Sequence, residues 1–251
     1  VISTNSIIPS NLVSDVMLQC YNFVLSFPHI AKSTDEVICI DNEGVYKMCL
    51  KETSQISYGD MNHHISQVLS NISFPFRCQN QLNSDLRKRI FNLIPYEKFH
   101  FLITRNAPIS SRGGRPYYPY SANYLASHIF ENQYLLASCD PLSSSYFGAA
   151  AYFRGYGFKP SEIETEMMKT KAIDIPNFKT SSCTKRCGRE DNSATLIENT
   201  TAIKDIFNRF CPCFEKMYSR KAFVGYYTQF GLEISEFDES YQGLKNIISE
   251  Y

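Results

Sequence analysis

Between residues 57 and 96 the apolar positions fall on helical spacing and predict a long helix, a short polar loop and a second helix. Met61, Ile65, Val68, Leu69 and Ile72 form one stripe along the first helix. Pro75 should end it, because proline brings no amide and crowds the preceding turn. Ser57 with Asp60 three residues on reads as a capping box at its start. After the polar stretch 77–81, Asn83 reads as the cap of a second helix whose Leu86, Ile90, Phe91 and Ile94 share one face. Upstream, residues 1–31 give a strand, a loop marked by Pro9, and an apolar stretch over 21–30 that contains Pro28. Ser33 and Glu36 predict a further helix start, with Val37, Ile40, Val45, Met48 and Cys49 turned inward.

Beyond Tyr96 the pattern shifts toward strands, at 99–103, 146–154, within 173–187 and at 193–197. Over 146–154 large and small residues alternate on both faces, as in a strand covered on two sides. Helices are predicted around 122–130 and from Pro160, whose acidic first turn and late Lys169 and Lys171 complement the helix dipole. A long helix opening at Asn199 carries Ile206, Phe207, Phe210, Phe214 and Met217, and Pro212 within it predicts a bend near Asn208. The last helix buries Phe237, Tyr241, Leu244, Ile247 and Tyr251.

Composition narrows the function classes. The chain has 251 residues, 43% of them hydrophobic, enough for a substantial core. Lys and Arg number 25 against 25 Asp and Glu, so net charge gives no reason to expect nucleic acid or an anionic membrane as partner. No apolar run approaches a membrane span, and the start at Val1 carries neither a basic leader nor a cleavage pattern, so the reading is a cytosolic protein and the later part of something longer. Nine cysteines, an odd number spread from Cys20 to Cys213, fit reduced thiols. Cys183 with Cys187 and Cys211 with Cys213 lack the two-residue zinc knuckle, so no metal site is predicted.

The segments Tyr58-Gly59-Asp60-Met61-Asn62-His63, Gln81-Leu82-Asn83-Ser84-Asp85-Leu86-Arg87-Lys88 and Asn92-Leu93-Ile94-Pro95-Tyr96 closely resemble the core helix, the following loop and the next helix of β-tubulin. Ile40-Asp41-Asn42-Glu43, Cys139-Asp140-Pro141 and Arg220-Lys221-Ala222-Phe223 extend the resemblance over the whole chain. It implies an α+β fold of the tubulin/FtsZ kind. Residues 1–76 would close a nucleotide-binding α/β domain and supply its core helix, 77–198 would form an intermediate domain with a mixed sheet and flanking helices, and 199–251 a helical hairpin.

By the same resemblance the chain is a divergent β-tubulin lacking its N-terminal nucleotide-binding part, a structural subunit of microtubules in the cytoplasm. It would bind GTP or GDP, with Mg2+ in the full-length protein, and polymerise with α-tubulin and neighbouring tubulin subunits. The alternative is a tubulin-derived adaptor or a remnant that no longer polymerises. Asn42 and Asn62 match positions that contact guanine, where a carboxamide supplies both a donor and an acceptor. Tyr58 would stack on the base, a contact worth about 1–3 kcal/mol. Asp15 and Gln19 lie in the segment resembling the ribose and phosphate loop, with Gln19 where the family has glutamate and Cys20 where it has proline.

Gln81, Asn83 and Lys88 match the surface that faces the neighbour's nucleotide. Lys88 stands where an α-type chain carries its catalytic glutamate. An ammonium has no free lone pair and cannot serve as general base, so the chain is β-like and names no catalytic residue. Arg112 and Gly113 sit in a loop resembling the one that touches the adjacent protofilament. The chain departs from the family pattern in a shortened strand before Cys187, in Pro212, and in a changed turn over 225–231. No run of three glycines offers a phosphate loop, so GTP hydrolysis is expected only within assembled full-length tubulin.

Overall fold

The computed structural model describes residues 1–77, 85–110, 120–155, 158–170, 174–183 and 192–251. Among them six strands join in one mixed sheet: β1 (Ser3–Ile8), β2 (Glu36–Asp41), β3 (Phe101–Ala107), β4 (Tyr146–Arg154), β5 (Phe178–Cys183) and β6 (Ser193–Thr200). Their order is β1-β2-β3-β6-β4-β5. The first three run parallel, β6 inserts antiparallel between β3 and β4, and β5 lies parallel to β4 at the edge.

Side-chain alternation divides the core between the two faces of this sheet. Val37, Cys39, Phe101 and Ile103 pack with the helices α1 (Gln19–Ser33), α7 (Ile203–Asn208), α8 (Phe210–Tyr218) and α10 (Ile234–Glu250). Farther along, Ala149, Ala151, Phe153 and Leu196 pack with α5 (Ala122–His128) and α6 (Pro160–Met167). Ile38, Ile40, Leu102, Ala150 and Ile197 point the other way, onto α2 (Asn42–Cys49), α3 (Tyr58–Arg77) and Leu93 of α4 (Leu86–Leu93). The short α9 (Val224–Thr228) completes the described helices. The fold is therefore α+β, with a mixed sheet covered by helices on both sides.

Several elements stand where the sequence pattern puts them. The strand at 146–154 is β4, and the capping box at Ser57 is formed, with the Asp60 carboxylate accepting from the Ser57 amide at 3.0 Å and hydroxyl at 2.6 Å. The Pro212 bend lies at Arg209, between the end of α7 at Asn208 and the start of α8 at Phe210. Proline has no amide to offer the Asn208 carbonyl one turn back, so the ladder breaks there.

Other expectations are corrected. Residues 36–41 are strand β2, and the Ser33 hydroxyl donates to the His29 carbonyl at 2.8 Å at the end of α1 instead of capping a new helix. Val37, Ile38 and Ile40 are β-branched and buried, and between β1 and β3 a strand satisfies their backbone on both sides. Pro75 does not end α3, which continues to Arg77, because a proline so near the end forfeits a single backbone bond while its ring is buried. Asn83 lies outside the described residues, and α4 is capped by Asp85, which accepts the Arg87 amide at 3.0 Å. Phe91, placed by the pattern on the inner face of α4, is 85% exposed, and Arg89 is buried with Leu93 in its stead. Asn199, read as a helix start, lies inside β6 and donates to the Leu93 and Phe99 carbonyls at 2.8 and 2.7 Å.

Two buried ion pairs fasten helices and turns to the sheet. Arg89 reaches from α4 to Glu36 of β2 with Nε to Oε1 at 3.0 Å, donates to the Ser3 hydroxyl at 3.2 Å, and lies 4.8 Å over the Phe76 ring. Arg105 of β3 grips Glu198 of β6 at 3.0 Å and donates to the carbonyls of Phe130 and Glu131 at 2.7 and 3.0 Å. Burial raises the Glu198 pKa from the ordinary carboxylate value, although Arg105 pulls the other way. Breaking such a pair on one side leaves an uncompensated charge in the core. Arg89→Met is expected to lower unfolding free energy by about 3–5 kcal/mol in a urea titration, and Arg89→Met/Glu36→Leu to recover most of that loss. Equal losses in the single and double variants would refute the pairing.

Candidate functional site

The loop between β1 and α1 is folded on Ser10, a buried residue whose carbonyl accepts the Val13 and Ser14 amides, each at 3.1 Å, and whose hydroxyl accepts that of Leu12 at 3.2 Å. Two side chains tie this loop to neighbouring helix starts. Arg209, presented by the break between α7 and α8, donates to the Pro9 carbonyl at 3.3 Å, to Asp41 at 2.8 Å and to Glu43 at 2.7 Å. Tyr58, the first residue of α3, donates its hydroxyl to the Val13 carbonyl at 3.3 Å.

Asp41 is fully buried at the end of β2 and caps α2 by accepting the Glu43 amide at 3.1 Å. It also accepts the Ser138 amide at 3.0 Å. Glu43 receives Lys47 at 2.8 Å and the Ser138 hydroxyl at 2.9 Å. Partial burial alone would push the Glu43 carboxyl up, but Lys47, Ser138 and Arg209 together hold it below its ordinary value. The two carboxylates keep the Arg209 guanidinium more firmly protonated than burial alone would allow.

Asn42, the first residue of α2, is flanked by these two carboxylates and half-buried. Asn62 is exposed one turn into α3, and Tyr58 is 64% exposed. Val45, Met48 and Cys49 of α2 share a core with Met61 and Ile65 of α3, which sets the two helices side by side. The loop after β1 is thus bonded to the start of α3 directly and to the start of α2 through Arg209.

The other expected residues are placed differently. Asp15 is exposed and lines a hollow of about 670 Å3 with Lys216, Arg220 and Phe223. Gln19 donates to the Ser14 hydroxyl at 2.9 Å, and its Oε1 is enclosed with no partner among the described residues. Lys88 is exposed on α4, about one turn before the exposed Phe91. Gln81, Asn83, Arg112 and Gly113 lie outside the described residues. Among the described residues no group of three His, Cys, Asp or Glu is placed to hold a metal, and no helix is long and apolar enough to cross a membrane. Sequence reasoning missed Arg209; the break caused by Pro212 was the one signal near it, and nothing local linked it to Asp41, which lies far upstream.

Because the folded state depresses the Glu43 pKa, its contribution to stability is full above the unfolded value near 4.3 and is lost as pH falls through the lower folded value. Glu43→Gln is expected to flatten that acid-limb loss in urea titrations run from neutral pH to about pH 3. Arg209→Leu should cost about 3 kcal/mol or more at neutral pH, since it strands the buried Asp41. An unchanged acid limb in Glu43→Gln, or a neutral effect of Arg209→Leu, would contradict the network.

Residues 97–212 match the Tubulin C-terminal domain family. The chain is 37% identical over 258 residues to the nucleomorph tubulin beta chain of Guillardia theta, covering 99% of this chain and 58% of that one. It is 34% identical over 259 residues to the tubulin beta chain of Encephalitozoon cuniculi (strain GB-M1), covering 100% of this chain and 59% of that one. It thus spans less than two thirds of the length of these relatives. The chain is thus similar along its whole length to β-tubulin chains, and its residues 97–212 carry the match to the Tubulin C-terminal domain.

Proposed function

We propose that this chain is part of a β-tubulin-like microtubule subunit that binds GTP or GDP, with Mg2+ in the full-length protein, and polymerises with α-tubulin in the cytoplasmic cytoskeleton. On this reading residues 1–76 end the nucleotide domain, 77–198 form the intermediate domain and 199–251 the helical hairpin. The observation that carries it is the loop after β1, bonded at once to Tyr58 and, through Arg209, to the carboxylates around Asn42. An aromatic face and two carboxamides at adjoining helix starts suit a guanine base, Tyr58 by stacking and Asn42 and Asn62 by paired donor and acceptor groups. Gln81, Asn83 and Lys88 would face the neighbour's phosphates, and Arg112 and Gly113 the adjacent protofilament.

Exposed apolar side chains support head-to-tail assembly. Val16, Met17 and Phe223 are exposed and line one hollow together, and Phe91 is exposed on α4 about one turn after Lys88. Two unlike patches on one subunit are what a heterologous, filament-forming contact requires. A second reading, a tubulin-derived adaptor that no longer polymerises, is favoured by Gln19, whose carbonyl oxygen is turned inward and enclosed instead of free for a ribose hydroxyl.

Pelleting of the full gene product with microtubules, with and without GTP, separates the two: GTP-dependent incorporation supports the subunit, and GTP-independent decoration supports the adaptor. Tyr58→Ala should weaken GTP binding roughly tenfold or more in a fluorescent-nucleotide competition. Lys88→Glu should speed GTP turnover on the neighbouring subunit in polymerising preparations, because it puts a carboxylate where a water-activating base can act. Wild-type turnover in that variant would remove Lys88 from the interface.

A further inference from the structure

A hollow opens near each end of α1. One, a second cavity of about 570 Å3, lies between α1, α10 and the segment leading into β3, and charged side chains such as Lys98 and Glu250 line it. The other is the hollow of about 670 Å3 beside the loop after β1, where Cys213 of α8 shares the walls with Met17, Met217 and Lys216.

Cys213 has a second thiol behind it. Aromatic pairs fix the register in which α1 packs on α8: Phe23 stacks on Phe210 with ring centroids 3.9 Å apart, and Tyr21 meets Phe214 edge-on at 5.5 Å. Cys20 precedes Tyr21 as Cys213 precedes Phe214, so the two cysteines fall on facing turns of the packed helices. The Cys20 thiol donates to the Phe210 carbonyl at 3.4 Å, one turn before Cys213. Burial pushes the Cys20 thiol well above its ordinary pKa, and the neighbouring Cys213 adds to the shift. Cys20 is therefore a protonated thiol near pH 7 and is only 1% exposed, whereas Cys213 is half-buried and reached from the hollow. Cys211, two residues back, is raised by its own burial and interacts with Tyr241 and Lys245 of α10.

We propose that Cys213 is an oxidation site for hydroperoxides and that Cys20 resolves it into a disulfide joining α1 to α8. The Cys213 thiolate attacks the peroxide: an S–O bond forms as the O–O bond breaks, leaving a sulfenic acid. The departing oxygen takes up the proton that Cys213 gave up and leaves as water or an alcohol. The Cys20 sulfur then displaces the hydroxyl, the S–S bond forming as the S–O bond breaks, and the Cys20 proton leaves in a molecule of water. Two thiols are oxidised and one peroxide is reduced. A sulfenic acid at Cys213 is uncharged and no longer opposes ionisation of Cys20, so the first step eases the second. The proposal uses none of the candidate nucleotide residues and stands apart from that reading.

In the test, the full gene product is treated with a small excess of hydrogen peroxide, denatured, alkylated with iodoacetamide and digested with trypsin without reductant. Mass spectrometry is expected to find the peptide carrying Cys20 linked to the one carrying Cys213, and dithiothreitol should separate them. This readout needs no substitution, so it stands even where a variant folds poorly. Cys211→Ser should keep the link and Cys213→Ser should lose it. In Cys20→Ala the sulfenic acid has no resolving thiol, and Cys213 should take up several-fold more dimedone than in the parent protein. No linked peptide in the oxidised parent, a link that survives Cys213→Ser or vanishes in Cys211→Ser, or parent-level dimedone uptake in Cys20→Ala would each overturn the assignment.

Discussion

The buried carboxylate of Asp41 is the constraint from which much of this structure follows. A charge with no solvent access must be met by donors, and here they come from three residues: the Glu43 amide, the Ser138 amide, and two nitrogens of Arg209. Each donor fixes an element. The first starts α2 at Asn42, the second holds the segment before Pro141 against the end of the sheet, and the third requires α7 and α8 to part at Arg209. The loop after β1 is then caught on the same guanidinium through Pro9.

Pro212, which looked like a defect in a long helix, is consistent with this arrangement. The kink it imposes is where Arg209 leaves the helix and reaches Asp41 and Glu43. Similar logic applies on the other side of the sheet, where Arg89 holds α4 to β2 through Glu36. With that anchor in place Phe91 and Lys88 face outward, so a core ion pair goes with the choice of residues that α4 exposes. Stability and surface chemistry are therefore coupled: a substitution at the buried Arg89 would alter which residues α4 exposes.

The site and the second cavity differ in how they are built. Around Tyr58 and Asn42 polar groups are already bonded to one another, which fixes the helix starts relative to the loop after β1. In the cavity by α10, charged side chains such as the paired Lys98 and Glu250 share the walls with Phe101 and Ile247. The two lie on opposite faces of the sheet's first strands, with α1 and α10 on one side and α2 and α3 on the other.

Local patterns in the sequence were enough for those elements whose burial follows a simple period: the stripe of α3, the two-sided strand β4, the capping box at Ser57 and the break at Pro212. They also carried the motifs by which the resemblance and the five candidate nucleotide residues could be named. What they could not decide was the identity of residues 36–41, the inward turn of Arg89 and the outward turn of Phe91, or the partners of Arg209. Each of those depends on a contact with chain distant in sequence: β1 and β3 flanking β2, Glu36 drawing in Arg89, Asp41 drawing in Arg209. A periodic pattern reports how a segment would pack against a uniform apolar wall, and where the wall carries a buried charge only the assembled structure shows which side chain answers it.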